Sequence, residues 1–318
     1  MKPELKSERG MALLVVLVVI ALLSSILVEL AFTSMIDMRL TETFRDRSKA
    51  YDLAKGGINA GRMILQEDRN QFDSLHETWS KGVVNYPVAD GNVSINIEDE
   101  DGKLALNSIV EGNNPQTLMV DRFYRFLVAM QLDPPADPAE LTAALIDWLD
   151  PGSDPYTELR TDDLNQPVVG AEDGHYLNLP NPYHCKNGPL ETLQELSLIK
   201  GFSSGVLERI IPHVAVNRSL AININTASLE VLMSLDRQID RDTAQAVVDY
   251  RQSESIKSIV QLEDFLPSES YAILKTMANL GQLTTASQLY RIESTAWVND
   301  GRRRLVAEVA KYGNKLLY

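Results

Sequence analysis

Residues 11–28 read MALLVVLVVIALLSSILV, an unbroken run of apolar and small side chains. At about 1.5 Å rise per residue, such a run extends roughly 27 Å as a helix, close to the hydrocarbon thickness of a bilayer. A short charged leader with Lys2, Lys6 and Arg9 precedes it. A cleaved secretory signal would end in a small-x-small site, and none follows here. Instead Glu29 leads into LAFTSMIDMRL, and apolar residues continue at helical spacing. Phe32, Met35, Ile36, Leu40, Phe44, Tyr51, Ala54 and Ile58 trace one stripe. The pattern predicts a single long helix over 11–65, its first half in lipid and its second half packed on a domain through that stripe. Arg39, Arg45, Arg47 and Lys49 follow the span, so flanking charge orients it only weakly.

The whole chain has 318 residues and a net charge of −14. That length suits an anchor plus one large or two ordinary domains. The negative charge repels phosphate backbones and argues against generic nucleic-acid binding, while leaving carboxylates for hard cations. Cys185 is the single cysteine, and the four histidines show no metalloprotease spacing. Internal disulfides and thiolate zinc sites are thereby excluded.

Beyond Trp79 the period changes to two. Val93, Ile95 and Ile97 alternate with polar residues, Asp99-Glu100-Asp101-Gly102 follows, and then Leu104 and Leu106. An Asp-Gly turn between alternating runs predicts a hairpin. The last forty residues repeat the sign. Leu289–Val298 reads as a strand, Asn299-Asp300-Gly301 as a turn, and Leu305, Ala307 and Val309 as a second strand. Between them, roughly 110–285, the pattern is helical, with Val120–Met130 and Leu141–Leu149 at helical spacing and Pro134, Pro135 and Pro138 between them. The reading is an α+β chain: leader 1–10, helix 11–65, first sheet segment 79–109, inserted α-helical domain 110–285, and C-terminal strands 286–318.

The insertion holds the best candidate site. Asp147 and Asp150 lie near the end of a predicted helix that Pro151-Gly152 stops; Ser153 and Asp154 follow, and after a polar loop comes Gly170-Ala171-Glu172-Asp173-Gly174. Two acidic turns bracketing a loop can supply the oxygen ligands that Ca2+ needs, and the spacing is not that of an EF-hand. A solvated loop with helix-capping aspartates would look the same. Gly201-Phe202-Ser203-Ser204-Gly205 matches the short pattern of a hydrolase nucleophile elbow, but helical spacing rather than a strand precedes it, and His213 follows too closely. Residues 222–265 resemble a helix-hairpin-helix module, and 190–214 a degenerate relative of it. The hairpin, Leu235-Asp236-Arg237-Gln238-Ile239-Asp240, lacks the glycines that present N–H groups to phosphate and carries two aspartates instead.

Gly10 at the junction of charged leader and apolar run resembles the processing signal of type IV pilins and pseudopilins. The resemblance implies that a prepilin peptidase cuts after Gly10 and leaves Met11 as a methylated N-terminus. It departs at the fifth mature position, where Val15 replaces the usual glutamate. Lack of that glutamate, together with a large helical insertion in a helix-plus-sheet frame, resembles the K-type minor pseudopilins of type II secretion systems (the general secretion pathway protein K family). That family implies a pilin-like α+β fold with helix-hairpin-helix or SAM-like subdomains. It also implies a non-enzymatic place at the pseudopilus tip, and Ca2+ held by some of Asp147, Asp150, Ser153, Asp154, Glu172 and Asp173. The implied partners are minor pseudopilins of types I, J and H, with the prepilin peptidase, the secretin or exported proteins, and no nucleic acid. The implied location is a single-pass inner-membrane anchor with a periplasmic head. The competing reading is a membrane-tethered helix-hairpin-helix receptor for DNA binding or uptake.

Overall fold

The computed structural model describes residues 8–159, 168–312 and 315–317; most of the leader, including Lys2 and Lys6, lies outside them. Helix α1 runs without a break over Glu8–Glu67. Its most apolar window has a mean hydropathy of 3.2 and is wholly exposed, so the helix is long and apolar enough to cross a membrane. Helix α2 (Thr78–Lys81) follows, then β1 (Val83–Val88), β2 (Gly91–Asp99) and β3 (Leu104–Ala105). β4 (Val110–Glu111) and β5 (Asn114–Pro115) precede α3 (Thr117–Ala129), α4 (Pro138–Leu149) and α5 (Asp173–Tyr176). Next come a 3-10 turn at Leu193–Leu198, α6 (Ser204–Ile210), β6 (Val214–Ala215), β7 (Ile222–Asn223), α7 (Leu229–Ser234) and α8 (Arg241–Ser253). A second 3-10 turn at Ile259–Asp264, α9 (Ser268–Asn279), β8 (Leu283–Thr284), β9 (Leu289–Val298), β10 (Gly301–Tyr312) and β11 (Lys315–Leu317) complete the chain. The main sheet has the order β1-β2-β9-β10-β11.

The chain forms two compact units. One comprises α1 up to Asn59, Val83–Ile95 and Glu293–Leu305; the other comprises Ala60–Gly82, Asn96–Ile292 and the segment from Val306 onward. In the first unit only the end of the expected apolar stripe packs inward, with Ala54 buried and Ile58 half-buried. Asp46, Ala50, Ala54 and Gly57 are buried, whereas Phe32, Met35, Ile36, Leu40, Phe44 and Tyr51 are exposed. The reason is close approach: a Cβ on Gly57 would lie 2.1 Å from Ser294 Oγ, and one on Gly301 would lie 2.5 Å from the Asp46 carbonyl carbon. Only small residues allow backbones so near, so the seam is made of them and the large side chains face outward. Asp46 also accepts a bond of 3.0 Å from Asn299 Nδ2, which fixes the β9–β10 turn on the helix.

The hairpin expected across Asp99–Gly102 does not form. β2 pairs antiparallel with β1, with Val88 opposite Gly91. β3 leaves the main sheet and pairs in parallel with β6. The cause is polar. Asp99 and Asp101 are buried and face inward as acceptors. Asp99 Oδ2 accepts from Asn223 Nδ2 (3.0 Å), Thr226 Oγ1 (2.5 Å) and Ser287 Oγ (2.6 Å), and Asp101 Oδ2 accepts from the backbone N–H of Gln288 at 2.6 Å. Burial pushes Asp99 up to about 7. Turning outward as a hairpin would strand these acceptors.

The second unit holds the main hydrophobic core and two modules of like construction. In the first, β3 leads to Asn107, whose side chain donates to Leu190 O (2.9 Å) and accepts from Leu190 N (2.8 Å). In the second, β7 leads to Asn225, whose side chain donates to Ile256 O (2.8 Å) and accepts from Ile256 N (2.9 Å). Two residues beyond each clamped residue stands a capping box, Thr192 with Glu195 and Ser258 with Gln261. Each box opens a 3-10 turn, then a helix, α6 or α9, then a strand, β6 or β8, that pairs in parallel with the module's first strand. The structural counterpart of residues 190–215 is therefore 256–284 rather than the whole of 222–265. α3 packs on α7, and Arg125 of α3 donates to Ser234 O at the end of α7 (2.9 Å).

Candidate functional site

Helix α4 begins at the N-cap Asp137, which accepts from Ala139 N and Glu140 N, and ends at the C-cap Asp150. Its last turn carries Asp147, which is wholly buried. Asp147 Oδ1 accepts from Tyr156 N at 2.7 Å, while Oδ2 has no hydrogen-bond partner. Gly170 passes directly over that free oxygen: a Cβ there would sit 1.9 Å from Oδ2. Two residues further on, Glu172 is the N-cap of α5. Glu172 is 4% exposed, and neither of its carboxylate oxygens has a hydrogen-bond partner. The Cys185 thiol and the Ala171 N–H lie close enough to favour the charged forms of Glu172 and Asp147, but neither makes a hydrogen bond to these three buried oxygens, which are costly unless a cation or protons satisfy them.

Their charges interact. Burial, then the Asp147 and Asp150 carboxylates, push Glu172 up to about 7. Burial and Asp150 push Asp147 up to about 6, against the Tyr156 N–H. Asp150 Oδ1 accepts from Gly152 N at 2.7 Å and is itself raised by burial. The chemistry suits a hard, oxygen-seeking ion. The adjacent Cys185 thiol is pushed up to about 12, chiefly by burial, and donates weakly to Asp147 O at 3.5 Å, so it offers no thiolate.

The structure divides the residues singled out in sequence. Asp147, Asp150 and Glu172 interact through their charges; Ser153 and Asp154 are exposed on the loop. Asp173 has both oxygens committed, Oδ1 to Cys185 N (2.8 Å) and Oδ2 to His184 Nδ1 (2.8 Å), and these bonds hold it below the usual carboxylate range. These two bonds tie Asp173 to the segment that carries His184 and Cys185. The oxygens of Asp147, Asp150 and Glu172 do not all lie within 4.8 Å of one another; among the described residues the acidic trio that meets that distance is Asp68, Asp73 and Glu77. Sequence reading missed this trio. Lys311 Nζ already stands in it, 2.7 Å from Asp68 Oδ2 and 3.5 Å from Asp73 Oδ1. Nothing local signals Lys311, which reaches the trio from the far end of the chain.

The remaining motifs resolve as caps. Ser203 is the N-cap of α6 and accepts from Val206 N, and a 3-10 turn precedes it where a nucleophile elbow needs a strand. Asp236 Oδ1 accepts from Gln238 N (2.9 Å) and Asp240 Oδ1 from Thr243 N (2.8 Å), so these side chains occupy N–H groups in the hairpin. At the other end of the chain, Gly10 lies within α1, and a Cβ on it would meet nothing within 4 Å.

Two family models, both described as type II secretion system (T2SS), protein K, match residues 102–219 and 222–281. Their boundary falls between β6 and β7. The chain is 27% identical to type II secretion system protein K of Pseudomonas aeruginosa over 285 residues, covering 84% of this chain and 82% of the relative. It is 26% identical to the protein K of Aeromonas hydrophila over 323 residues, covering 95% and 93%. A chain in the crystal structure of the GspK–GspI–GspJ complex of the enterotoxigenic Escherichia coli type 2 secretion system superposes with a TM-score of 0.58 at 17% identity, covering 90% of this chain and 97% of that one. The helix, sheet and two clamped modules thus carry a sequence that aligns with these relatives nearly end to end, and the chain belongs to the type II secretion system protein K family.

Proposed function

We propose that the chain is a non-enzymatic minor pseudopilin at the tip of the type II secretion pseudopilus, where it caps the filament or starts its assembly for export across the outer membrane. The observation that carries this reading is Val15. No Asp or Glu occurs between Met11 and Val28, so the span offers no carboxylate to the amine of a subunit ahead of it. Such a subunit suits a position with nothing above it. The anchor lies in the inner membrane with the head in the periplasm, and a prepilin peptidase removes residues 1–10. Gly10 supports this: the fold gives no steric reason for a glycine there, whereas a peptidase would read it. The partners are the type I and J minor pseudopilins, as named for the solved complex, with a type H subunit below; the secretin or exported proteins meet the head.

Ca2+ is the ion proposed for the loop, which would close around it so that some of Asp147, Asp150, Ser153, Asp154, Glu172 and Asp173 hold it, with backbone and solvent oxygens completing the shell. When bound, it would neutralise the buried carboxylates and join the end of α4 to the returning strand. Asp236 and Asp240 speak against the DNA-receptor reading, because they add negative charge and occupy N–H groups where phosphate would sit. The test is co-purification of the full-length chain in detergent with type I and J minor pseudopilins. A stoichiometric complex is expected; a chain that elutes alone, or that instead binds DNA with a steep salt dependence, would contradict the proposal.

A further inference from the structure

Besides the β4–β5 pair and the longer α3 of the first module, the two modules differ most between the second helix and the clamped residue. In the second, the C-cap of α8 is Glu254 and the clamped residue is Ile256, so Ser255 alone separates them. In the first, the C-cap of α4 is Asp150 and the clamped residue is Leu190. Residues 151–189, including the candidate calcium loop, stand where the other module has a single serine. The neck of this segment is tied from both sides. Asn187 Nδ2 donates to Gly152 O at 2.9 Å, Gly188 N donates to Trp148 O at 3.1 Å, and the Asn107 clamp holds Leu190 immediately beyond.

We infer that the acidic segment is an insertion spliced into one of two like modules, closed at its neck by Asn187 and Asn107, so that a hard divalent cation folds the loop without being needed for the rest of the head. The inference rests on the calcium reading for the ion, and on the module comparison for the insertion. The neck bonds are neutral and form without an ion. The loop's interior is different: Asp147 Oδ2 and both Glu172 carboxylate oxygens are buried without hydrogen-bond partners, so removal of an ion leaves them unsatisfied and favours opening of the loop. The second module has no counterpart loop and serves as the internal control.

Hydrogen exchange of the full chain in detergent, with calcium and then with chelator, tests the ion's part. Peptides from 168–185 are expected to exchange at least roughly tenfold faster in chelator, with 222–284 unchanged. Equal acceleration of 222–284 would overturn the inference, since the ion would then hold the whole head. No change in 168–185 in a chain that calorimetry shows to bind calcium would overturn it as well. A chain that binds no calcium sinks the calcium reading, and the insertion then stands on a second variant in which two glycines replace 153–186. That variant is expected to keep the protection of 222–284; collapse of that module would show that the segment is integral to the fold.

Discussion

Replacing Glu172 with glutamine inverts the sign of the residue's contribution between ion-free and calcium-loaded protein. Without the ion, Glu172 titrates near 7 rather than at its ordinary 4.5. A folded-state value above the unfolded one means that the folded chain holds the proton more tightly. Stability is therefore full below the unfolded value, falls as pH rises from about 4.5 to about 7, and stays low above that. The shift corresponds to roughly 3 kcal/mol at pH 8. Glutamine removes the charge but leaves a buried amide, so the expected gain for Glu172→Gln in chelator at pH 8 is smaller, about 2 kcal/mol. With calcium at about a hundred times its Kd, the wild type gains about 2.7 kcal/mol, and the variant loses most of that. Urea unfolding followed by tryptophan fluorescence reads both arms, because Trp148 adjoins Asp147 and packs edge-on to Tyr176 at 5.4 Å. The variant should be the more stable protein in chelator and the less stable in calcium. A variant weakened equally in both would refute the reasoning, because Glu172 would then be held by the protein itself.

Gly170→Ala drives a Cβ to within 1.9 Å of Asp147 Oδ2 and 2.9 Å of Ala143 O, so calorimetry should find calcium binding lost and the head weakened by about 2 kcal/mol. Asn225→Ala orphans both backbone groups of the fully buried Ile256 and should cost about 2–4 kcal/mol in urea unfolding, with Asn107→Ala comparable if the two clamps are equivalent. Gly301→Ala places a Cβ 2.5–2.7 Å from the backbone of Asp46 and Arg47, where no side chain can yield; thermal unfolding should show a loss of about 2 kcal/mol or more, and unchanged stability would mean that α1 and the β9–β10 turn are not in contact.

The elements that were legible in the sequence are those whose signal is local. The long helix follows from a continuous apolar run, and β9 runs from Leu289 to Val298 as alternation and the Asn299-Asp300-Gly301 turn require. What was not legible depends on partners distant in the chain. Hydrophobic periodicity finds Ala54 but misses the rest of the α1 seam, because Ala50 and Gly57 are chosen for size, while the exposed Phe32 and Phe44 carry most of the apolar pattern. Asp99 resembles a turn residue until Asn223, Thr226 and Ser287 arrive from the other module and the region before β9 to bond it. In the candidate site the carboxylates were readable as a class. Their division was not: Glu172 has no donors and Asp173 has two, and only the path of His184 and Cys185 past the loop decides which is which.

The most direct test of the account as a whole is the intact mass of the mature chain purified from membranes of its native host. Loss of residues 1–10, with Met11 methylated or free, is the predicted result, because it is the mark of a prepilin-peptidase substrate that keeps its apolar helix. A mass showing cleavage beyond Val28, or no cleavage at all, would contradict the placement of this chain in a filament.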